Sequence, residues 1–297
     1  MPIELRLRNL GWKPAFGVVG QVTDDSMMAT ALLTSLCRDG DYNQNNVIVE
    51  YIKLINSGIK FIGNNTRALL GKITINSDAT DRMIQTYKSR LAKKDMSAVQ
   101  SNGSLMRALP LIWLFTRFPY DVAVAKCVED TNITNPNDTN RLCTIIYMNF
   151  CIAAVNKTPL PELLNKIYGL ISQNAAINQA YLDVINEAPR DIKPKAVKGW
   201  VVNALYCAMY AYYRIYRYGE SFEVIIRRVI CLGGDTDTTG AIAGGMLGLY
   251  FGETLLKAND VTANNINLIL NADTTKGDFP AHIKYHPVTA MQMLSTY

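Results

Sequence analysis

The sequence predicts an all-α fold, a single multi-helix domain over residues 1–297. Three observations predict it. Apolar residues recur at spacings of three and four in most windows, as one face of a helix requires. No long run alternates apolar and polar residues in the two-residue period of a strand. No fixed-period repeat or low-complexity linker divides the chain.

The elements follow in order. "DDSMMATALLTSLCRDG" sets Met27, Ala31, Leu32 and Ser35 on one face and reaches a stop at Gly40. "NVIVEYIKLI" fits strand or helix, and its continuation "EYIKLINSG" fits helix as well as strand. "GSLMRALPLIWLF" is apolar almost all round, predicting a buried helix interrupted or kinked near Pro110. "DTNRLCTIIYMNFCIAAV" starts with a good cap and repeats apolar residues at three and four. "GWVVNALYCAMYAYYRIYRYG" keeps Val202, Leu205, Met209 and Tyr213 in register and stops at Gly219. "SFEVIIRRVICLGG" opens with Ser221 as a cap and closes on a glycine pair. Small residues in "GAIAGGMLGLYFG" let a helix backbone approach a neighbour closely. From about Lys257 the chain is Asn-rich and less periodic, predicting a less regular tail over 257–297.

Hydrophobic content of 49% and charged content of 19% describe a soluble globular protein without bulk disorder. The net charge of +5 is modest and its Lys and Arg residues are scattered, which argues against a nucleic-acid partner. Cys37, Cys127, Cys143, Cys151, Cys207 and Cys231 show no C-x-x-C spacing. They read as reduced core residues of a cytoplasmic protein. "MPIELRLRNLGWKP" has no apolar signal region, and the longest uncharged apolar run, "TTGAIAGGMLGLYFG", is short for a bilayer; no membrane partner is expected. His282 and His286 are the only histidines, both in the tail and both expected on the surface, so a His-based metal site is not expected.

Three polar segments invite a chemical reading. In "GQVTDDSMMATAL", Thr23, Asp24 and Asp25 fall in the first turn of a helix, where ordinary capping and dipole chemistry explain them. "CLGGDTDTTGAIAGG" is harder to explain so, because capping needs one Asp or Thr and this stretch supplies two of one and three of the other between glycines. Crowded carboxylates repel one another unless a cation relieves them. With no His or Cys beside them, the four acids and the hydroxyls form a hard-oxygen set suited to Mg²⁺, Mn²⁺ or Ca²⁺. In "QSNGSLMRALPL", Asn102, Gly103 and Ser104 open the apolar segment, as a plain N-cap or as a seat for an anion such as a pyrophosphate. D-x-D-x-T is also similar to the nucleophile motif of haloacid-dehalogenase-like phosphatases, but that motif belongs after an apolar strand near an N-terminus, and here it follows a helix late in the chain.

Taken together and in this order, "GQVTDDSMMA", "NGSLMRALPL" and "LGGDTDTTGAIAGGMLGLYFG" resemble the ADP-ribosylglycohydrolase family, most closely its dinitrogenase reductase-activating glycohydrolase type. "FIGNNTRALL" and "KGWVVNALYCAMYAY" resemble further family blocks, and the likeness runs from about Gly20 to Glu253. The resemblance implies an all-α fold with two Mg²⁺ ions (Mn²⁺ in some members) at the base of a cleft. It implies Thr23, Asp24, Asp25, Asp235, Asp237 and Thr238 as metal ligands, and a catalytic proton acceptor among Asp24, Asp25 and Asp237. Asn102, Gly103, Ser104, Asn135 and Trp200 fall at positions that contact ADP-ribose, although Trp200 reads equally as a core tryptophan. The implied reaction cleaves the glycosidic bond joining ADP-ribose to a protein side chain or small acceptor. The implied partner is therefore an ADP-ribosylated protein or small ADP-ribose conjugate.

Two departures from the family pattern stand out. Residues 1–19 lack the glycine-rich helix with which relatives begin, and Asn135 follows Thr134 where relatives commonly have a histidine. An amide can hydrogen-bond a ribose or phosphate but cannot become an imidazolium. The alternative expectation is a catalytically impaired relative that binds metal and ADP-ribose without turnover.

Overall fold

The first described helix, Asp24–Asp39 (α1), buries the face that its spacing predicts, Met27, Ala31, Leu32 and Ser35, and with it Met28 and Leu36. It ends where Gly40 takes a left-handed conformation and its N–H closes on the Leu36 carbonyl. The ambiguous "NVIVEYIKLI" is helical: Gln44–Asn56 (α2) starts at Asn43, whose side chain accepts from the Asn46 N–H. Its β-branched residues suit a helix here because Val47, Ile48, Ile52 and Ile55 all find apolar neighbours. A fully buried Leu or Ile is worth about 1.5–3 kcal/mol, more than the few tenths that its helix propensity costs.

The chain then adds Asn64–Leu70 (α3), Thr80–Ala92 (α4), Leu114–Arg117 (α5), Tyr120–Thr134 (α6), Asp138–Asn156 (α7), Leu160–Ile171 (α8), Ala175–Ile185 (α9), Val201–Tyr218 (α10), Phe222–Leu232 (α11) and Thr236–Lys257 (α12). Asp260–Leu270 (α13) and Pro287–Leu294 (α14) follow in the tail. This computed structural model describes residues 20–74, 80–96, 98–194, 196–275 and 282–295. Among them no strand occurs, only one isolated bridge between Ser101 and Trp200. The expected loss of an N-terminal helix falls on residues 1–19, outside the described residues.

Helices α7, α10 and α12 pack on one another in the centre, α11 lies against α12, and α1 lies between α2 and α14. Buried apolar residues from Met27 to Tyr285 form one cluster. Four cysteines, Cys127, Cys143, Cys151 and Cys207, are buried in it, whereas Cys37 and Cys231 are partly exposed; none of the six forms a disulfide. No described helix is long and apolar enough to cross a membrane.

Three expectations are corrected. "GSLMRALPLIWLF" is not one kinked helix but two short 3-10 segments, Asn102–Ser104 and Leu109–Trp113, followed by α5. Pro110 offers no N–H and restricts Leu109, so α-helical bonding cannot propagate through it. Ser221 and Thr23 occupy N-cap positions, but neither side chain makes a capping hydrogen bond. His286 is buried rather than on the surface, while His282 is exposed. The reason is local: His286 is the N-cap of α14, its Nδ1 accepts from the Val288 N–H at 3.1 Å, and the tail folds back onto α1. Burial holds that imidazole below its usual pKa.

Candidate functional site

Two helix starts carry the acids, and neither uses them as caps. At the start of α1, Thr23 has an extended backbone and its hydroxyl donates to Asp25 Oδ2 at 2.8 Å. At the start of α12, Asp235 makes no capping bond with its side chain; its Oδ2 accepts from Asn102 Nδ2 at 2.8 Å. The capping explanation, the simplest one from sequence, therefore fails at both ends. Asp24, Asp235 and Asp237 line a shared cleft.

That cleft has a volume of about 560 Å³. Thr23 and Asp24 line it from α1, Asp235, Asp237 and Thr238 from α12, and Ser101, Asn102 and Gly103 from the 3-10 turn. A fourth wall comes from Phe61, Ile62, Gly63, Asn64, Asn65 and Thr66 at the start of α3, where the Gly63 N–H donates to Asp24 Oδ2 at 3.2 Å. Val99 and Met106 complete it with apolar surface.

A backbone device sets the α12 acids. Gly233 and Gly234 both have positive φ, +84° and +74°, which L side chains rarely adopt. A Cβ on Gly234 would stand 2.6 Å from the Ile192 carbonyl oxygen, so the loop before Trp200 lies directly on the turn that delivers Asp235.

The electrostatics fit acids kept against their preference for water. Burial, then the charges of Asp25 and Asp237, push the Asp24 carboxyl up to about 7 despite the Gly63 N–H. Burial also raises Asp25, opposed by the Thr23 hydroxyl, and raises Asp235, opposed by Asn102. Thr238 stands beside both of these carboxyls and pulls each down. Asp25 Oδ1 is buried with no hydrogen-bond partner in the protein. A buried carboxylate oxygen without a donor costs free energy unless something positive meets it.

These features fit a hard divalent cation in donor chemistry: four carboxylates and two threonine hydroxyls, no thiol or imidazole, and one orphaned oxygen. The acids stand apart, however: among the described residues no three Asp, Glu, His or Cys side chains are grouped closely enough to hold an ion together.

The residues expected at the site are not all placed alike. Thr23, Asp24, Asp235, Asp237, Thr238, Asn102 and Gly103 line the cleft, and Asp25 lies just behind it. Ser104 is fully buried and receives Asn140 Nδ2 at 2.9 Å, so it supports the turn from behind. Asn135 is fully buried: its Oδ1 accepts from Thr134, and its Nδ2 donates to the Val99 carbonyl and to Ser101 Oγ at 2.9 and 3.0 Å. It braces the wall rather than facing the cleft. Trp200 lines a neighbouring hollow of about 470 Å³ that shares Val99 and Ser101 with the cleft, and its Nε1–H is taken by Gln100 Oε1. The Phe61–Thr66 wall is the part that residue-by-residue reading misses. Its block, "FIGNNTRALL", was visible, but nothing in it marks a contact with distant acids.

Comparison with known proteins gives concordant findings. A family model described as ADP-ribosylglycohydrolase matches residues 2–261, extending beyond the 20–253 span of the sequence resemblance. A protein of Acanthamoeba polyphaga mimivirus, whose name gives ADP-ribosyl glycohydrolase as a provisional assignment, is 24% identical over 281 residues, covering 89% of this chain and 79% of its own. A solved structure described as an ADP-ribosylglycohydrolase-related protein complex is similar with a TM-score of 0.57 and 22% identity, over 84% of this chain and 80% of that one. At that identity the structural likeness speaks for the fold alone.

Proposed function

The chain belongs to the ADP-ribosylglycohydrolase family, and from that premise we propose that it is a metal-dependent hydrolase releasing ADP-ribose from a protein side chain or a small acceptor. One observation carries the reading: acids from two helix starts more than 200 residues apart in sequence, Asp24 and Asp235, line a single cleft with Asn102. Thr23, Asp24, Asp25, Asp235, Asp237 and Thr238 would hold Mg²⁺ or Mn²⁺. When bound, the ions supply positive charge that orients ribose hydroxyls and makes water more acidic.

The chain's own groups account for the rest. Asn102 is pinned to Asp235 and Gly199, so its turn is fixed before substrate arrives. Gly103 leaves the backbone open to close approach, and Val99 and Met106 exclude water from one side. Asp25 is buried behind the cleft lining, beside Thr23 and Thr238, which leaves the role of proton acceptor to Asp24 or Asp237, the acids that line the open cleft. The Asn135 departure takes nothing from this chemistry, because that amide is spent on the wall. Trp200, beside the cleft, is available to a base of the ligand from the neighbouring hollow. Six cysteines outside any disulfide, four of them buried, accord with a cytoplasmic, reducing setting.

Thermal unfolding tests the binding half. ADP-ribose added to the Mg²⁺-treated protein should raise the midpoint, by the equivalent of about 2.7 kcal/mol at a hundredfold excess over Kd. An unchanged midpoint at saturating ligand contradicts the substrate assignment.

A further inference from the structure

Among the described residues Arg107 is the largest fully buried side chain, and it is the single charge in the apolar segment "GSLMRALPLIWLF". A buried arginine is costly, and replacing a buried ion pair by apolar residues is often neutral or stabilising. Stability alone does not explain it. Its hydrogen bonds do. Nε donates to Asp130 Oδ2 at 3.0 Å and Nη2 to the Asp130 carbonyl at 2.8 Å, which fixes the guanidinium on α6. Tyr51 reinforces the pair, with its ring 4.9 Å from the guanidinium carbon and its hydroxyl donating to Asp130 Oδ1. The remaining nitrogen, Nη1, reaches the Gly103 carbonyl and Thr134 Oγ1, each at 2.9 Å.

Those last two contacts lead to the cleft from two sides. Gly103 belongs to the turn whose Asn102 holds Asp235. Thr134 is tied by its carbonyl to Asn65 Nδ2 of the Phe61–Thr66 wall, at 2.7 Å, and by its hydroxyl to Asn135, which supports Val99 and Ser101. The planar, forked guanidinium spans all of these acceptors at once; the single ammonium of a lysine cannot. We propose that Arg107, anchored by Asp130, is the positioning residue that fixes the Asn102–Ser104 turn and the Asn65 wall relative to each other in the cleft lining. The inference rests on the reading of that cleft as the ADP-ribose site.

The test uses the full chain with two readouts. Arg107→Met/Asp130→Leu removes the buried pair together, and Arg107→Lys keeps the charge while losing the fork. The double variant is expected to keep a cooperative denaturation midpoint close to that of the wild type, and Arg107→Lys a cooperative but lowered one, because some buried acceptors lose their donor. Exchange of the Asn102 amide, which donates to the Gly199 carbonyl at 2.9 Å, should nevertheless accelerate about tenfold or more. Binding of ADP-ribose should weaken by about tenfold or more through the displaced turn. Unchanged exchange in a folded variant overturns the proposal, and so does failure of both variants to fold, which would make Arg107 purely structural. If wild type binds no ADP-ribose, the functional reading fails on its own, and the exchange readout still decides the role of Arg107.

Discussion

Replacing Asp24 by asparagine is expected to make the metal-free protein more stable near pH 8 and to abolish stabilisation by Mg²⁺. The two effects have opposite signs and one cause. The Asp24 carboxyl titrates near 7 in the folded protein against 3.8 when free, because burial and the neighbouring Asp25 and Asp237 disfavour its charge. A carboxyl raised in this way contributes stability that is fully present below its unfolded value and is lost as pH rises through the folded one. The shift has a ceiling of about 4 kcal/mol at roughly 1.4 kcal/mol per unit, and the open side of the cleft reduces it to about 1–2 kcal/mol. Chelated wild type should therefore lose stability between about pH 4 and pH 7, and Asp24→Asn should flatten that slope. With Mg²⁺ present, the wild type should recover the loss above pH 7 and the variant should not. Denaturant midpoints at three pH values, with chelator and with millimolar Mg²⁺, give both effects. A variant that responds to Mg²⁺ like wild type removes Asp24 from the ligand set.

Gly234→Ala is expected to be strongly destabilising and to disturb the site as well. The residue holds φ +74°, and the added Cβ would meet a backbone oxygen, Ile192 O, at 2.6 Å. A side chain there cannot rotate away, and a backbone obstacle cannot yield as a flexible side chain does. Strain at positive φ and overpacking each cost about 1–3 kcal/mol, so a loss of about 2–5 kcal/mol is expected. The site should suffer beyond that. Asp235 is the next residue, and moving it breaks the 2.8 Å contact with Asn102. Chemical denaturation reads the first effect and ADP-ribose affinity the second. A variant with normal stability and normal affinity would contradict the tight packing of the Ile192 loop on the acid turn.

Much of this was legible before any coordinates, and the reasons differ by element. α1 and α10 are readable because their apolar spacing, first-turn residues and terminal glycines, Gly40 and Gly219, agree. The two acidic motifs are readable because too many carboxylates crowd too few glycines for capping alone. The segment after Asn102 misleads, since composition marks it as buried without revealing that it is two 3-10 turns, the second of which contains Pro110. His286 misleads because tail position suggests exposure, whereas the fold brings the tail back over α1. Asn135 is legible as unusual but not as a brace, because the acceptors of its Nδ2, on Val99 and Ser101, lie more than 30 residues away. The Phe61–Thr66 wall depends wholly on tertiary contact with Asp24. Arg107 did leave a signal: a single charge inside an otherwise apolar run asks what it pairs with.

The most direct test of the account is release of free ADP-ribose from arginine-linked, serine-linked and O-acetyl conjugates, measured with Mg²⁺ and with chelator. The account predicts Mg²⁺-dependent release from at least one of the three, lost in Asp24→Asn and Asp237→Asn. No release from any of them by folded protein that binds ADP-ribose and Mg²⁺ would contradict it, and would leave a binding protein on a hydrolase fold.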